Sequence, residues 1–130
     1  MEDINPWTTA ARRALATLKE LALLARPSVV ERDAAIKRFE YSFDIIWKTA
    51  RQHLLSVHGI DQRSPKSVIR ACRVAGLLSD EKTEAALAMA DDRNLTVRTY
   101  NEAWAREVFG RLAGHAELLE VLLAAIEANP

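Results

Sequence analysis

One cysteine, four glycines and four prolines are spread over 130 residues. A single thiol, Cys72, excludes an intrachain disulfide framework and fits a reducing compartment. With so few glycines there is no glycine-rich loop to cradle a phosphate. Charge of one sign is also missing: 18 Lys and Arg balance 18 Asp and Glu, for a formal net charge of zero. The chain therefore lacks the overall basic field that drives nonspecific nucleic-acid binding. No apolar run approaches the roughly 20 residues that span a bilayer. The N-terminal "MEDINPWTTAARRALATLKE" has acids and arginines where a signal peptide needs an apolar block. A cytoplasmic protein without a membrane partner is expected. The three histidines, His53, His58 and His115, are scattered, with no cysteine or carboxylate at metal spacing beside them, so no metal site is expected. Cys72, in "VIRACRVAG", has no histidine placed to activate it and is expected to be a small core thiol.

What the chain does have is helix. Hydrophobic residues make up 49% and charged residues 28%, the balance of a soluble globular protein with one domain over residues 1–130. Asn5-Pro6 has the cap-and-first-turn pattern of a helix that stops before Pro27. Ser28 and Glu31 have capping-box spacing, opening a long helix that ends at Gly59. Ser64-Pro65 starts a short third helix ending near Gly76. Ser79 or Asp80 caps a fourth through "EKTEAALAMADDRN". Thr99 and Glu102 repeat the capping-box spacing, so a fifth helix starts near Asn101 and runs to about Ala128. No strand is expected. The fold class is all-α.

Apolar residues recur at steps of three and four on the two long helices. Ile36, Phe39, Phe43, Ile46, Ala50, Leu54 and Val57 form one stripe, and Trp104, Val108, Leu112, His115, Leu119, Leu122 and Ile126 the other. Both predict an up-and-down antiparallel four-helix bundle with an additional short helix. The last helix is apolar off its stripe as well, in "LLEVLLAAI", and the first carries Leu21, Leu23 and Leu24 together. This surplus predicts a second buried face and hence a homodimer, with Leu119, Leu122 and Leu123 in its interface.

One stretch breaks the pattern. "DDRNLTVRTYN", Asp91 to Asn101, holds two aspartates, two arginines and a tyrosine. If the fourth helix continues through it, Arg93 and Tyr100 share one face, and Asn94 and Arg98 share the next. Guanidinium forks and a phenol hydroxyl make an anion-receiving surface. On the second helix, Glu40, Asp44, Trp47 and Lys48 share a side. Glu40, at the edge of the apolar stripe, requires a cation when half buried, and Arg93 is the expected supplier. The expected cleft thus has Arg93, Asn94, Arg98 and Tyr100 on one wall and Glu40 and Trp47 on the other.

Three blocks, "RDAAIKRFEYSFDIIWKTARQHL", "SPKSVIRACRVAGLL" and "DDRNLTVRTYNEAWAREVF", resemble in order and spacing the small nucleotidyltransferase substrate-binding proteins, within the broader HEPN helical bundles. The resemblance covers roughly residues 10 to 125. It implies a bundle similar to the helical domain of kanamycin nucleotidyltransferase, and a separate minimal nucleotidyltransferase as partner. Nucleotide and magnesium would then sit in that partner, with no cofactor in this chain. The implied role is a non-catalytic substrate-binding subunit. In some such pairs the helical protein is an RNase toxin, silenced when its partner adenylylates a tyrosine. The RNase pattern in the family is Arg, four residues, His, one residue, Tyr. Arg93 and Tyr100 match it, which implies Tyr100 as a modification site, but Arg98 stands at the histidine position. Arginine stays protonated and cannot act as general base, whereas histidine exchanges a proton near neutral pH. The resemblance implies the binding role first, and an RNase, degenerate at position 98, as the alternative.

Overall fold

The computed structural model describes residues 5–96 and 101–129. Five helices follow in chain order: α1 (Pro6–Ala22), α2 (Val29–His58), α3 (Pro65–Val74), α4 (Asp80–Thr96) and α5 (Glu102–Ala128). Their starts follow local chemistry. The Asn5 side chain accepts from the Trp7 amide, and Pro6 takes the first helical position, where no N–H is needed. Ser28 and Glu31 form the reciprocal capping box at α2, and Ser64 and Ser67 form one at α3. Ser79 receives the Lys82 amide at the start of α4. At α5 the cap is Asn101, whose side chain accepts from the Trp104 amide. Thr99, expected to share a box with Glu102, lies outside the described residues.

One end departs from expectation. Helix α1 stops at Ala22 rather than near Arg26, with Leu23 already at φ −95° and ψ 0°. The following residues must turn the chain back to Ser28, whose extended backbone opens α2. Helix α2 closes on Gly59 at φ 68°, the left-handed conformation that ends many helices and strains any residue with a Cβ.

The polar bonds between helices give their directions. Ser42 donates to the Ala14 carbonyl at 3.0 Å, and Arg38 donates to the Thr17 carbonyl at 3.0 Å, so α1 and α2 are antiparallel. Arg12 meets Glu127 and Lys19 meets Glu120, which sets α1 antiparallel to α5. Arg93 on α4 reaches Asp44 on α2, and Asp92 on α4 reaches Arg111 on α5. Helices α1, α2, α4 and α5 therefore run up, down, up, down, with α3 inserted beside α4. Among the described residues there is no strand. None of these helices is long and apolar enough to cross a membrane.

The core explains the apolar surplus of α5, whereas Leu23, just past the end of α1, is 75% exposed and takes no part in it. Leu15 and Leu18 of α1, Phe39, Phe43, Ile46 and Leu54 of α2, and Leu112, Leu119 and Leu123 of α5 are each almost fully buried. Val68, Ile69 and Cys72 of α3 and Met89 of α4 close the other side. Helix α5 contacts α1, α2 and α4, so it buries three faces rather than one. Leu119, Leu122 and Leu123 are 1%, 4% and 0% exposed, which corrects the expectation that they form a dimer interface. Their surplus is used within the bundle. Cys72 is a core thiol as expected, and its burial pushes its pKa up to about 12.

Replacing Gly59 by alanine puts a Cβ on the left-handed cap. We expect a loss of about 1–2 kcal/mol, read from urea unfolding, and a smaller loss for Gly59→Asn because asparagine tolerates that conformation. An alanine variant as stable as the parent would contradict this account of the cap.

Candidate functional site

The polar run begins with three charged residues in a row. Successive residues of an α-helix point about 100° apart, so Asp91, Asp92 and Arg93 face three directions. Each meets a different helix. Asp91 receives Lys66 of α3 at 2.6 Å. Asp92 receives Arg111 of α5 through two bonds of 2.8 Å each. Arg93 donates from Nη2 to Asp44 of α2 at 2.9 Å. The last turns of α4 are thereby tied on every side.

The Asp92 group is the most buried of the three. Its carboxylate also meets His115 Nε2 at 2.7 Å, and the His115 ring stacks on Phe39 with centroids 5.2 Å apart. Burial alone would raise the Asp92 pKa. The hydrogen bonds from Arg111 and then His115 outweigh it, and the carboxyl is held below its ordinary value. The same bonds raise the Arg111 pKa. Because a carboxylate only accepts, the facing Nε2 carries the proton. His115 is thus a hydrogen-bonded residue on the apolar stripe, as its position suggested. Asp92 and Arg111 were not singled out as its partners. The signal lay in the four-residue step from Arg111 to His115, which puts both on one face of α5.

The expected Glu40–Arg93 pair is corrected. Arg93 pairs with Asp44, one turn farther along α2, while Glu40 is left with exposed Lys37 at 3.7 Å. Arg93 meets the expected side of α2, four residues beyond the expected carboxylate. Sequence spacing places residues on a face but does not say how far α4 slides along α2. Asp44 also bonds across to α4, not along its own helix to Lys48. The Arg93 Nε is buried without a partner among the described residues.

Of the other expected wall residues, Trp47 faces α4 but sits in apolar surroundings, against Ile69, Ala86 and Met89. Asn94 is exposed on the last turn of α4. Arg98 and Tyr100 lie outside the described residues. The structure therefore joins Arg93 to the α2 side of the expected cleft, through Asp44 rather than through Glu40. Near the start of α5, buried Arg32 contacts Asp33 at 3.0 Å and Glu102 at 3.4 Å, which links the beginnings of α2 and α5. Among the described residues no group of three metal-ligating side chains converges.

A family model for proteins like the nucleotidyltransferase substrate-binding protein matches residues 8–128. A solved structure from Thermus thermophilus is similar, with 54% identity, 89% of this chain and 98% of that chain covered, and a TM-score of 0.87. A Haemophilus influenzae protein, described as revealing the fold of a substrate-binding domain of a nucleotidyltransferase, aligns at 21% identity. Coverage there is 92% of this chain and 98% of that one, with a TM-score of 0.76. A tri-AMPylated HEPN toxin of Shewanella oneidensis, in complex with an MNT antitoxin, aligns at 14% identity. It covers 96% of this chain and 99% of its own, with a TM-score of 0.77. No curated protein matches.

Two measurements check these contacts. In a double-mutant cycle, Asp44→Ala and Arg93→Ala should couple by about 0.5–1 kcal/mol, since both groups are part exposed. Glu40→Ala should show no coupling to Arg93→Ala; coupling through Glu40 instead would restore the expected pair. For the buried cluster, Asp92→Asn should cost about 1–3 kcal/mol near pH 7. The folded pKa of Asp92 is lowered, so its stabilisation is complete above the unfolded value of about 3.9 and is lost as pH falls through the folded value. The gap between parent and variant in urea unfolding should begin to narrow as pH falls below about 4 and should close below the folded value. A gap that persists in acid would show that the carboxylate charge is not its source.

Proposed function

Because the chain belongs to the family of proteins like the nucleotidyltransferase substrate-binding protein, we propose that it is a non-catalytic binding subunit for a separate minimal nucleotidyltransferase. The observation that carries this reading is the family match across residues 8–128, joined to an arginine fixed at the end of α4. Arg93 is held by Asp44 through one nitrogen and its Nε is buried, so the outer part of its guanidinium, on a side chain 27% exposed, is what it offers to a phosphate-bearing group. Asn94 stands beside it on the exposed side. Arg98 and Tyr100 follow in sequence and complete the proposed anion-receiving surface. Nucleotide and magnesium are supplied by the partner, and the pair works in the cytoplasm.

The second reading is an RNase of the HEPN type, silenced by adenylylation at Tyr100. The similar fold of the Shewanella toxin, AMPylated and bound to its antitoxin, favours it. Arg98 opposes it, because a guanidinium does not release a proton at neutral pH. His115 does not replace the missing group in this proposal. Its Nε2 is committed to Asp92, and its ring is stacked on Phe39.

The two readings separate in one set of assays. The purified chain should leave RNA intact and should form a stoichiometric complex with a minimal nucleotidyltransferase from the same source. Arg93→Ala should weaken handling of the phosphate-bearing substrate in that complex. Arg98→His should gain RNA cleavage if only the histidine is missing. A parent that cleaves RNA, with cleavage lost in Arg93→Ala, overturns the binding-subunit reading. Mass spectrometry of the complex after incubation with ATP and magnesium reports whether Tyr100 accepts AMP.

A further inference from the structure

The solvent side of α2 is largely apolar, where the outer face of a bundle helix is ordinarily polar. Arg38 donates to the Thr17 carbonyl of α1, and Asp44 accepts from Arg93 of α4, so these two residues mark the edges of that side. Between them runs a stripe made of Val30, Lys37, Tyr41, Ile45, Lys48 and Leu55. Ala34 and Gln52 fill the remaining places, and the whole set then follows steps of four and three along one face. Five of the eight positions are apolar or aromatic. Val30 is 78% exposed, Tyr41 60% and Leu55 52%. The stripe is about 38 Å long. Apolar residues at steps of four and three are what one helix presents to another along a seam.

The charges identify the occupant. The stripe carries two lysines and no carboxylate, in a chain whose formal net charge is zero. The Lys37 side chain is 83% exposed, and its ion-pair partner Glu40 stands 3.7 Å away with a side chain only 12% exposed. Lys48 is exposed, and Asp44, four residues before it, is taken by Arg93. The two lysines are about 16 Å apart along the helix axis. A second copy of this face brings no acid to them: in any register its stripe offers a lysine, a glutamine or an apolar residue. A nucleic acid gains from lysines but leaves Val30, Ile45 and Leu55 without a partner. A helix with an apolar seam and two acids at matching height answers both. We propose that the outer face of α2 docks an amphipathic helix of a partner protein, whose apolar seam covers Val30, Tyr41, Ile45 and Leu55 and whose acidic side chains meet Lys37 and Lys48. This goes beyond the binding-subunit reading and does not depend on it, since the stripe uses none of Arg93, Asn94, Arg98 or Tyr100.

The test uses the full chain and a synthetic probe: a labelled amphipathic helix of about 25 residues, apolar at steps of four and three, with two glutamates eleven positions apart. Fluorescence anisotropy should show saturable binding to the parent. A charge-reversed probe, with lysines in place of the glutamates, should bind at least about 10-fold more weakly. In the double variant Lys37→Glu, Lys48→Glu the preference should reverse. Tyr41→Ala removes the largest side chain of the stripe, near its centre, and should weaken the acidic probe about 10-fold. All three positions are exposed, so the variants should melt as the parent does, which circular dichroism checks. An acidic probe that does not bind overturns the proposal. So do two probes that bind equally well, or binding indifferent to Tyr41→Ala. Single-stranded RNA that displaces the acidic probe, and that the double lysine variant no longer binds, overturns it and assigns the face to nucleic acid. A parent that self-associates and becomes monomeric in Tyr41→Ala overturns it in favour of a second copy. None of these failures touches the nucleotidyltransferase reading, which is tested at Arg93 and Arg98.

Discussion

The carboxylate of Asp92 is the point on which the end of α4 depends. It is 7% exposed, and its oxygens accept hydrogen bonds from the Arg111 fork and the His115 ring. A charge in such a place is unfavourable alone and favourable only when its lone pairs are filled. Here they are filled from one neighbouring helix. With Asp92 held toward α5, helical geometry leaves Asp91 no choice but to face α3, and Arg93 no choice but to face α2. The ion pairs on either side follow from that one commitment. They also fix which side of α4 Asn94 presents to solvent.

A second set of charges does different work. Arg12, Lys19, Glu120 and Glu127 run along the outer seam between α1 and α5. Their side chains are about one-third or more exposed, so solvent and salt screen them. Arg12 is held in its charged form by Glu127 and Glu120, while the Glu120 pKa is lowered by Arg12 and Lys19. These bonds choose register more than they add stability. The seam is hydrophobic beneath them, through Leu15, Leu18, Leu119 and Leu122.

Much of the fold could be read from local rules. Caps at Asn5, Ser28 and Ser64 and the left-handed Gly59 mark boundaries because each satisfies backbone groups that no other residue nearby would. The stripes on α2 and α5 follow the helical period because burial does, except that Val57, the last expected member on α2, is 46% exposed where that helix runs out beyond the core. Legibility failed where a distance along the bundle axis mattered. Glu40 and Asp44 share a face and a charge, and nothing in the sequence says which lies level with Arg93. It failed again where a count of neighbours mattered. An apolar surplus on α5 is consistent with a partner chain or with three partner helices, and only the packing distinguishes them. His115 showed the opposite pattern. Its place on the stripe was plain, while Asp92, its reason for being there, is distant in sequence and visible only after α4 folds back.

The contact of Arg12 with Glu127 spans 115 residues. The seam it sits on joins the first helix to the last, so forming it closes a loop that holds almost the whole chain. Closing so large a loop carries an entropic cost that grows with the logarithm of its length and is met before the contact gives anything in return. The α1–α2 pair, by contrast, is a hairpin of neighbours joined by a short turn. The topology therefore favours the α1–α2 hairpin as the more local unit, and α5 completes the apolar trough by touching three helices at once. Loss of α5 would expose apolar surface on α1, α2 and α4 together, which favours unfolding as a single event rather than a peeling of layers.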